Sequence, residues 1–222
     1  MESPPLSLQL REGTRDAHVR AERSSFMQAF FRGEVSRDGY RELLARLLPV
    51  YEALERDPGA LASHPALSRI HCPELFRAAA LRQDLAFYCG PDWSARVRTT
   101  PAVQAYVGRL EWLAKHWPVG LAAHHYTRYL GDLSGGQVIA RVVRKAFANT
   151  GSGGVAFYEF PDIPDIPAFK VRYREGLDAM PLAEGDAARL VEEANRAFDL
   201  NVGLFSELDA LRAAPPPGVG LA

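Results

Sequence analysis

The sequence predicts an all-α, single-domain fold, and three observations predict it. Apolar residues recur at steps of three and four along most of the chain, the mark of helices that bury one face. The aromatic and proline-rich connection Phe157-Tyr158-Glu159-Phe160-Pro161, with Pro164 and Pro167 beyond it, reads as extended chain and calls for no sheet. At 222 residues and 47% hydrophobic content, the chain suits one domain with a full core.

Each element has its own signal. From Leu6 to about Phe31 the residues Leu6, Leu10, Thr14, Ala17 and Ala21 hold one helical face, with Ser3 or Pro4-Pro5 at the start and Gly33 at the end. Arg11, Arg15, His18 and Glu22 share another side of that helix. Ser36-Arg37-Asp38-Gly39 opens a second helix to about Asp57, whose stripe includes Tyr40, Leu43, Leu47 and Tyr51 and which should kink at Pro49. A loop holding His64, His71 and Cys72 leads to a helix from about Glu74 to Tyr88, which Gly90-Pro91-Asp92-Trp93 ends. Pro101 begins a helix through Trp117, and a run from about Pro118 to Phe147 follows it. After a flexible turn over Asn149 to Gly154 come a short helix from about Ala168 to Ala179 and a long one from about Glu184 to Ala213. The long helix turns Leu190, Ala194, Phe198, Phe205 and Leu208 inward together with Asn201, a buried amide that needs partners.

Composition narrows the function. A net charge of −1 and a pI near 6.6 offer no basic field, which excludes nucleic acid as a partner. Cys72 and Cys89 stand in no Cys-x-x-Cys pair and read as reduced, semi-buried helix residues. His64, His71 and Cys72 lack a fourth ligand at zinc spacing. The N-terminus has no secretion signal, and the C-terminal tail is shorter than the roughly 20 apolar residues of a membrane span. The expectation is a cytoplasmic protein without a membrane anchor. Its domain occupies residues 6–212, between an extension at 1–5 and a disordered, Pro/Gly-rich tail at 213–222.

The run after Pro118 contains an anomaly. Gly131, Gly135 and Gly136 interrupt a helical pattern, where each glycine costs about 1 kcal/mol relative to alanine. Gly131 and Gly135 lie on one face, so a flat ligand or a second helix can approach bare main chain, and Gly136 widens that gap. Arg128 and Asp132, four apart, set an ion pair and a carboxylate beside the patch. A close helix crossing explains the small residues equally well. Leu133-Ser134-Gly135-Gly136-Gln137 also matches the signature loop of transporter ATPases. That fold requires a phosphate loop ending in Gly-Lys, and none of Lys115, Lys145 and Lys170 follows a glycine.

Tyr126-Thr127-Arg128-Tyr129-Leu130-Gly131-Asp132-Leu133-Ser134-Gly135-Gly136-Gln137 closely resembles the distal-helix motif of haem oxygenases of the animal, cyanobacterial and bacterial type. Leu10-Arg11-Glu12-Gly13-Thr14-Arg15-Asp16-Ala17-His18-Val19-Arg20-Ala21-Glu22 resembles that family's proximal helix, and the similarity extends over approximately residues 6 to 211. The resemblance implies a multi-helix bundle with haem between these two helices. It implies that haem b (iron protoporphyrin IX) is cofactor and substrate at once. Dioxygen and an external electron donor would convert it to biliverdin, expected as the IX-alpha isomer, with carbon monoxide and ferrous iron.

The same resemblance assigns residues. His18 becomes the axial iron ligand, with Glu22 fixing the tautomer of its ring; on spacing alone they are an ordinary helix histidine and a partner for Arg11 or Arg15. Asp132 organises water without ligating iron, with Arg128, Tyr51 and Asn201 behind it, although Tyr51 alone reads as a core tyrosine. Gly131, Gly135 and Gly136 let the distal helix lie against the porphyrin. Arg11, Arg15, Tyr126, Lys170 and Arg174 take the propionates, although Lys170 and Arg174 alone read as a solvated face. The extra cation Arg172 departs from the family's pattern there. Phe198 and Phe205 wall the haem, or are simply core, and the stretch from Phe157 to Pro161 resembles the family's aromatic connection. A ferredoxin or a flavoprotein reductase is the implied donor, with biliverdin reductase or a bilin-binding photoreceptor downstream.

Two other classes compete. A non-enzymatic haem carrier or sensor would lack the distal carboxylate or add a second axial ligand, and His124 and His125 stand at helix-packing positions more than a turn before Gly131. A di-iron bundle needs Glu-x-x-His pairs, and the chain has none.

Overall fold

The first apolar run folds as three helices rather than one in the computed structural model of the chain, which describes residues 4–97, 99–147 and 153–213. These are α1 (Leu6–Gly13), α2 (Arg15–Glu22) and α3 (Ser25–Phe31). At Thr14 the backbone departs to φ −108°, ψ 4°, and the side chain returns its hydroxyl to the Leu10 carbonyl at 2.7 Å. Ser24 leaves the helix altogether and caps α3, its side chain accepting from the Met27 N–H. The apolar stripe runs through both breaks, so periodicity alone could not reveal them. Gly33, at φ 74°, ends α3 in the left-handed conformation that glycine adopts without strain.

The second run forms α4 (Arg37–Leu54), capped by Ser36, whose hydroxyl accepts from the Gly39 N–H at 3.0 Å; Pro49 lies inside it and does not end it. After α5 (Pro58–Ser63) a 3₁₀ turn occupies Pro73–Leu75, and α6 (Ala78–Cys89) begins later than periodicity suggests. The cause is long-range. Glu55, one residue past α4, accepts from the backbone N–H groups of Arg77 at 2.6 Å and Ala78 at 3.1 Å, capping α6 from outside.

Thr100 caps α7 (Pro101–His116), and a 3₁₀ turn at Pro118–Gly120 leads into α8 (Leu121–Ala146), which stays helical through all three glycines. Pro167 proves to be a helix-starting proline: α9 (Ile166–Asp178) takes it into its first turn under the Asp165 cap. The last element is α10 (Asp186–Ala213). No strand occurs among the described residues, as the sequence predicts. The expected turn at Asn149 to Gly154 falls outside the described residues up to position 152, as does the expected tail from position 214.

Cys72 and Cys89 are free and half-buried, but Cys72 precedes the 3₁₀ turn and is not a helix residue. Among the described residues no group of three or more His, Cys, Asp or Glu side chains could hold a metal ion, and no helix is long and apolar enough to cross a membrane.

One helix, α10, packs against α1, α2, α3, α4, α7 and α8. Its one buried glutamate, Glu193, joins two of them. Arg109 of α7 donates from Nε at 2.9 Å, and His124 of α8 donates from Nε2 at 2.9 Å. Burial holds His124 below its ordinary range, so its ring is neutral. Burial pushes Glu193 the other way, but the Arg109 and His124 bonds outweigh it and hold the carboxyl at about 2.

Because that value lies below 4.5, its value in an unfolded chain, the stabilisation is complete above about pH 4.5 and is lost as pH falls towards 2. Glu193→Gln is expected to remove this acid-sensitive share, at most about 3–4 kcal/mol for a shift from 4.5 to about 2 at about 1.4 kcal/mol per pH unit. Urea unfolding at pH 7 and pH 3 measures it as a narrower stability gap in the variant.

Candidate active site

A cavity of about 400 Å³ is shared by the histidine of α2 and the glycines of α8. On the α2 side are His18, Ala21 and Glu22, and on α8 are Gly131, Asp132, Gly135 and Gly136. Phe198, Asn201 and Phe205 of α10 complete that part of the wall. The two segments thus face one space, as the sequence reading requires.

His18 is half-exposed. Its Nδ1 lies 3.7 Å from Glu22 Oε2, and the ring of Phe198 meets it edge-on, with centroids 5.6 Å apart and planes at 87°. An imidazole whose Nδ1–H faces a carboxylate keeps Nε2 as the donor atom for a metal. Glu22 therefore faces His18. The arginines that could have claimed it, Arg11 and Arg15, both donate to Glu12 instead.

The glycines separate into two kinds. A Cβ built at Gly131 or Gly135 meets nothing within 4 Å, so bare backbone borders open cavity. A Cβ at Gly136 would lie 2.7 Å from the Tyr158 ring. The expectation that Gly136 widens the gap needs correction: it lines the cavity, but the space it leaves is filled by Tyr158, whose carbonyl also accepts from Gln137 Nε2 at 2.9 Å.

Behind the glycines lies a buried polar network. Asn201 Nδ2 donates to the Ala197 carbonyl at 2.8 Å, which fixes its amide, and its Oδ1 accepts from Arg128 Nη1 at 2.6 Å. Arg128 Nε donates to the Tyr51 hydroxyl at 2.9 Å, and that hydroxyl donates to Asp132 Oδ2. Arg128 Nη2 stands 3.6 Å from Asp132 Oδ1. Burial raises the Asp132 carboxyl above its usual range, against the Arg128 charge and the Tyr51 bond. Burial also keeps Tyr51 protonated, while the neighbouring Tyr51 and Asp132 oxygens outweigh burial for Arg128 and keep it charged.

Cations gather at the exposed edge. Arg11 and Arg174 line the cavity and flank Tyr126, whose hydroxyl burial holds above its usual value against a bond with Thr14 and the two positive charges. Arg15 lies in an adjoining groove with Arg11, His18 and Tyr126. Lys170 does not line the cavity and instead donates to the hydroxyl of Ser134, which does, at 3.3 Å. The extra Arg172 turns away to Glu74 at 3.4 Å.

Sequence reasoning missed the inner wall, where Met27, Phe30, Leu43, Leu47, Ile139 and Tyr158 close the cavity. Five of them sit on the inner faces of α3, α4 and α8, where periodicity does not distinguish a core face from a cavity wall, and Tyr158 comes from the short 3₁₀ turn after α8. The arrangement suits haem by its own chemistry. Open space over bare main chain accepts a flat ring, an imidazole can meet its iron, and exposed-edge cations suit its carboxylates.

A family model for heme oxygenase matches residues 4–207. The chain belongs to the haem oxygenase family. Heme oxygenase 1 of Synechocystis sp. is 46% identical over 204 residues, which cover 92% of this chain and 85% of that protein. Heme oxygenase 1 of Homo sapiens is 43% identical over 208 residues, covering 93% and 72%. The crystal structure of the Synechocystis heme oxygenase-1 in complex with heme superposes with a TM-score of 0.90 at 45% identity over 94% of each chain. A heme oxygenase structure from Leptospira interrogans gives 0.88 at 38% identity, over 92% of this chain and all of that one. Haem oxygenase membership makes the chain an enzyme of haem breakdown and leaves the reading as a carrier or sensor without support.

The glycine geometry separates stability from ligand approach. Gly131→Ala and Gly135→Ala are each expected to stabilise the ligand-free protein, by about 0.5–1 kcal/mol, because the new methyl meets open space inside a helix. Gly136→Ala is expected to destabilise it, because the buried Tyr158 ring has to move. Thermal unfolding without ligand distinguishes the two kinds of position.

Proposed function

We propose that this haem oxygenase uses dioxygen and electrons from an external donor to open haem b at the alpha meso position, releasing biliverdin IX-alpha, carbon monoxide and ferrous iron. The observation that carries the reading is one cavity bordered by the His18 imidazole, the bare main chain at Gly131 and Gly135, and the buried Asp132 network. Haem, when bound, supplies the iron that activates dioxygen and the ring that is oxidised.

The chain's residues have separate tasks in this reading. His18 presents Nε2 as the axial donor, and Glu22 keeps the proton on Nδ1. Phe198, edge-on to the imidazole, restricts its rotation. Missing side chains at 131 and 135 let the ring approach α8 closely. The single hydroxyl proton of Tyr51 is committed to Asp132, so Tyr51 orients that carboxylate and donates nothing into the cavity. Arg128, held by Asn201, braces the same carboxylate by charge. Asp132 retains acceptor capacity on the cavity side, where it orders water and passes a proton to the reacting centre.

At the exposed edge Arg11, Arg15, Tyr126, Lys170 and Arg174 receive the two propionates and set the rotation of the ring, hence the carbon attacked. Arg11 and Arg15 exchange Glu12 for the ligand's carboxylates on binding. Gly136, Phe198 and Phe205 complete the wall. A ferredoxin or a flavoprotein reductase supplies the electrons, and biliverdin reductase or a bilin-binding photoreceptor receives the product. A cytoplasmic location and reduced Cys72 and Cys89 belong to the same reading.

His18→Ala is expected to abolish biliverdin formation and to regain part of it when imidazole is added. A wild-type haem spectrum and rate in this variant would refute the axial assignment. Asp132→Ala should bind hemin nearly as tightly as wild type while biliverdin formation falls, by about 10²-fold or more for loss of a proton-handling group. The absorbance of the pigment released under air with a reductant reads both, and an unchanged yield removes Asp132 from the chemistry.

A further inference from the structure

Helix α1 begins after Pro5, whose side chain has no acceptor to offer the N–H groups of the first turn. The missing cap comes from another helix. Asp178, the last residue of α9, accepts from the Ser7 backbone N–H through Oδ1 at 2.7 Å and from the Ser7 hydroxyl through Oδ2 at 2.9 Å. Both oxygens of one carboxylate are thus committed to a single residue 171 positions earlier in the chain. A carboxylate at a helix N-terminus also meets the positive end of the helix dipole.

This clasp stands at the edge of the cavity. Ser7 lines it, and so do Arg11, one turn further along α1, and Arg174, one turn before Asp178 on α9. Residues four apart share a helical face, so each arginine stands on the same face as one half of the clasp. Helix α1 packs on α9, and its buried residues, Leu6 and Leu10, are both apolar. Among the described residues no other hydrogen bond or ion pair joins the two helices. Apolar contact is non-directional and leaves packed helices some freedom to slide or turn. Two directional bonds at one end remove that freedom and fix the separation of the cations a turn away.

We propose that Asp178 and Ser7 are specificity-determining positioning residues, whose clasp sets the spacing of Arg11 and Arg174 and so selects the rotation at which haem is held and the meso carbon that is opened. This rests on the reading of Arg11 and Arg174 as propionate partners. The two propionates leave the ring at a fixed separation, so two cations held at one spacing favour one rotation over its neighbours. Cations whose helices drift accept several. Asp178 carries the wrong sign to bind a propionate, and its effect on the ring passes through the two helices it ties together.

In the ligand-free protein, hydrogen exchange at the Ser7 amide reads the clasp, because a first-turn N–H has no partner in its own helix. Asp178→Asn offers an acceptor for that N–H and a donor for the hydroxyl oxygen, and is expected to keep the amide protected, whereas Asp178→Ala exposes it. In the ferric haem complex the ring-methyl proton signals report the rotation, and chromatography of the bilin formed on turnover resolves its isomers. Asp178→Ala is expected to raise the share of the other isomers about tenfold, the bias of one charge-assisted bond, and to add a second set of methyl signals. Asp178→Asn is expected to stay close to wild type. Equal changes in the Asn and Ala variants overturn the proposal, because they trace the effect to the charge and not to the clasp. Should Asp178→Ala fail to fold, Ser7→Ala, which removes one of the two bonds, carries the same expectation to a smaller degree. An isomer composition unmoved in the clasp variants while Arg11→Ala or Arg174→Ala alters it also overturns the proposal. Unaltered products in both arginine variants sink the propionate reading itself, and the proposal with it, so the two failures are told apart.

Discussion

A carboxylate taken out of water is the constraint around which this fold is built. Asp132 is buried, and its ionised form is tolerable only if donors and positive charge converge on it. They come from three helices: Tyr51 from α4, Arg128 from α8 itself, and Asn201 from α10, which holds Arg128 in place. Satisfying one charged group therefore registers three long elements against each other. The opposite demand appears a few ångströms away, where α8 presents main chain with no side chains at Gly131 and Gly135. A helix weakened by glycines keeps its course because its neighbours hold it, and the network is one of those holds.

The second hold is apolar. Tyr158 packs onto Gly136 and Phe157 meets the Tyr51 ring edge-on at 5.2 Å, so the short segment after α8 closes back onto the network. That segment is itself anchored by Asp84 of α6, whose carboxylate accepts from the N–H groups of Ala156 and Phe157, both at 2.8 Å. Burial lifts this carboxyl to about 6, opposed by those same backbone bonds. Polar groups far from the cavity thus decide how firmly its wall stands.

The parts of the site legible in the sequence are those with a spacing or a compositional anomaly. His18 and Glu22 are one turn apart, the glycines violate helix preference, and Asn201 is a lone amide on an apolar face. All of these reach the same cavity. Less legible were features set by contacts distant along the chain. Glu55 delays the start of α6 from more than twenty residues away, which no local pattern encodes. Thr14 and Ser24 break a run whose apolar stripe continues unbroken, because a hydroxyl cap changes the backbone without changing which face is buried. Glu12 rather than Glu22 takes Arg11 and Arg15, a choice among carboxylates all within helical reach.

Helix α10 carries, in one unbroken rod, Glu193 against α7 and α8, Phe198 against the His18 ring, Asn201 in the distal network and Phe205 in the cavity wall. Successive residues on such a rod are rotated by about 100°. Gaining or losing one residue between positions 193 and 205 swings every later side chain off its target and leaves the earlier ones in place. Length changes in the connections between helices leave this register intact, whereas the residue count of this stretch fixes how the His18 side and the α8 side of the cavity stand opposite each other.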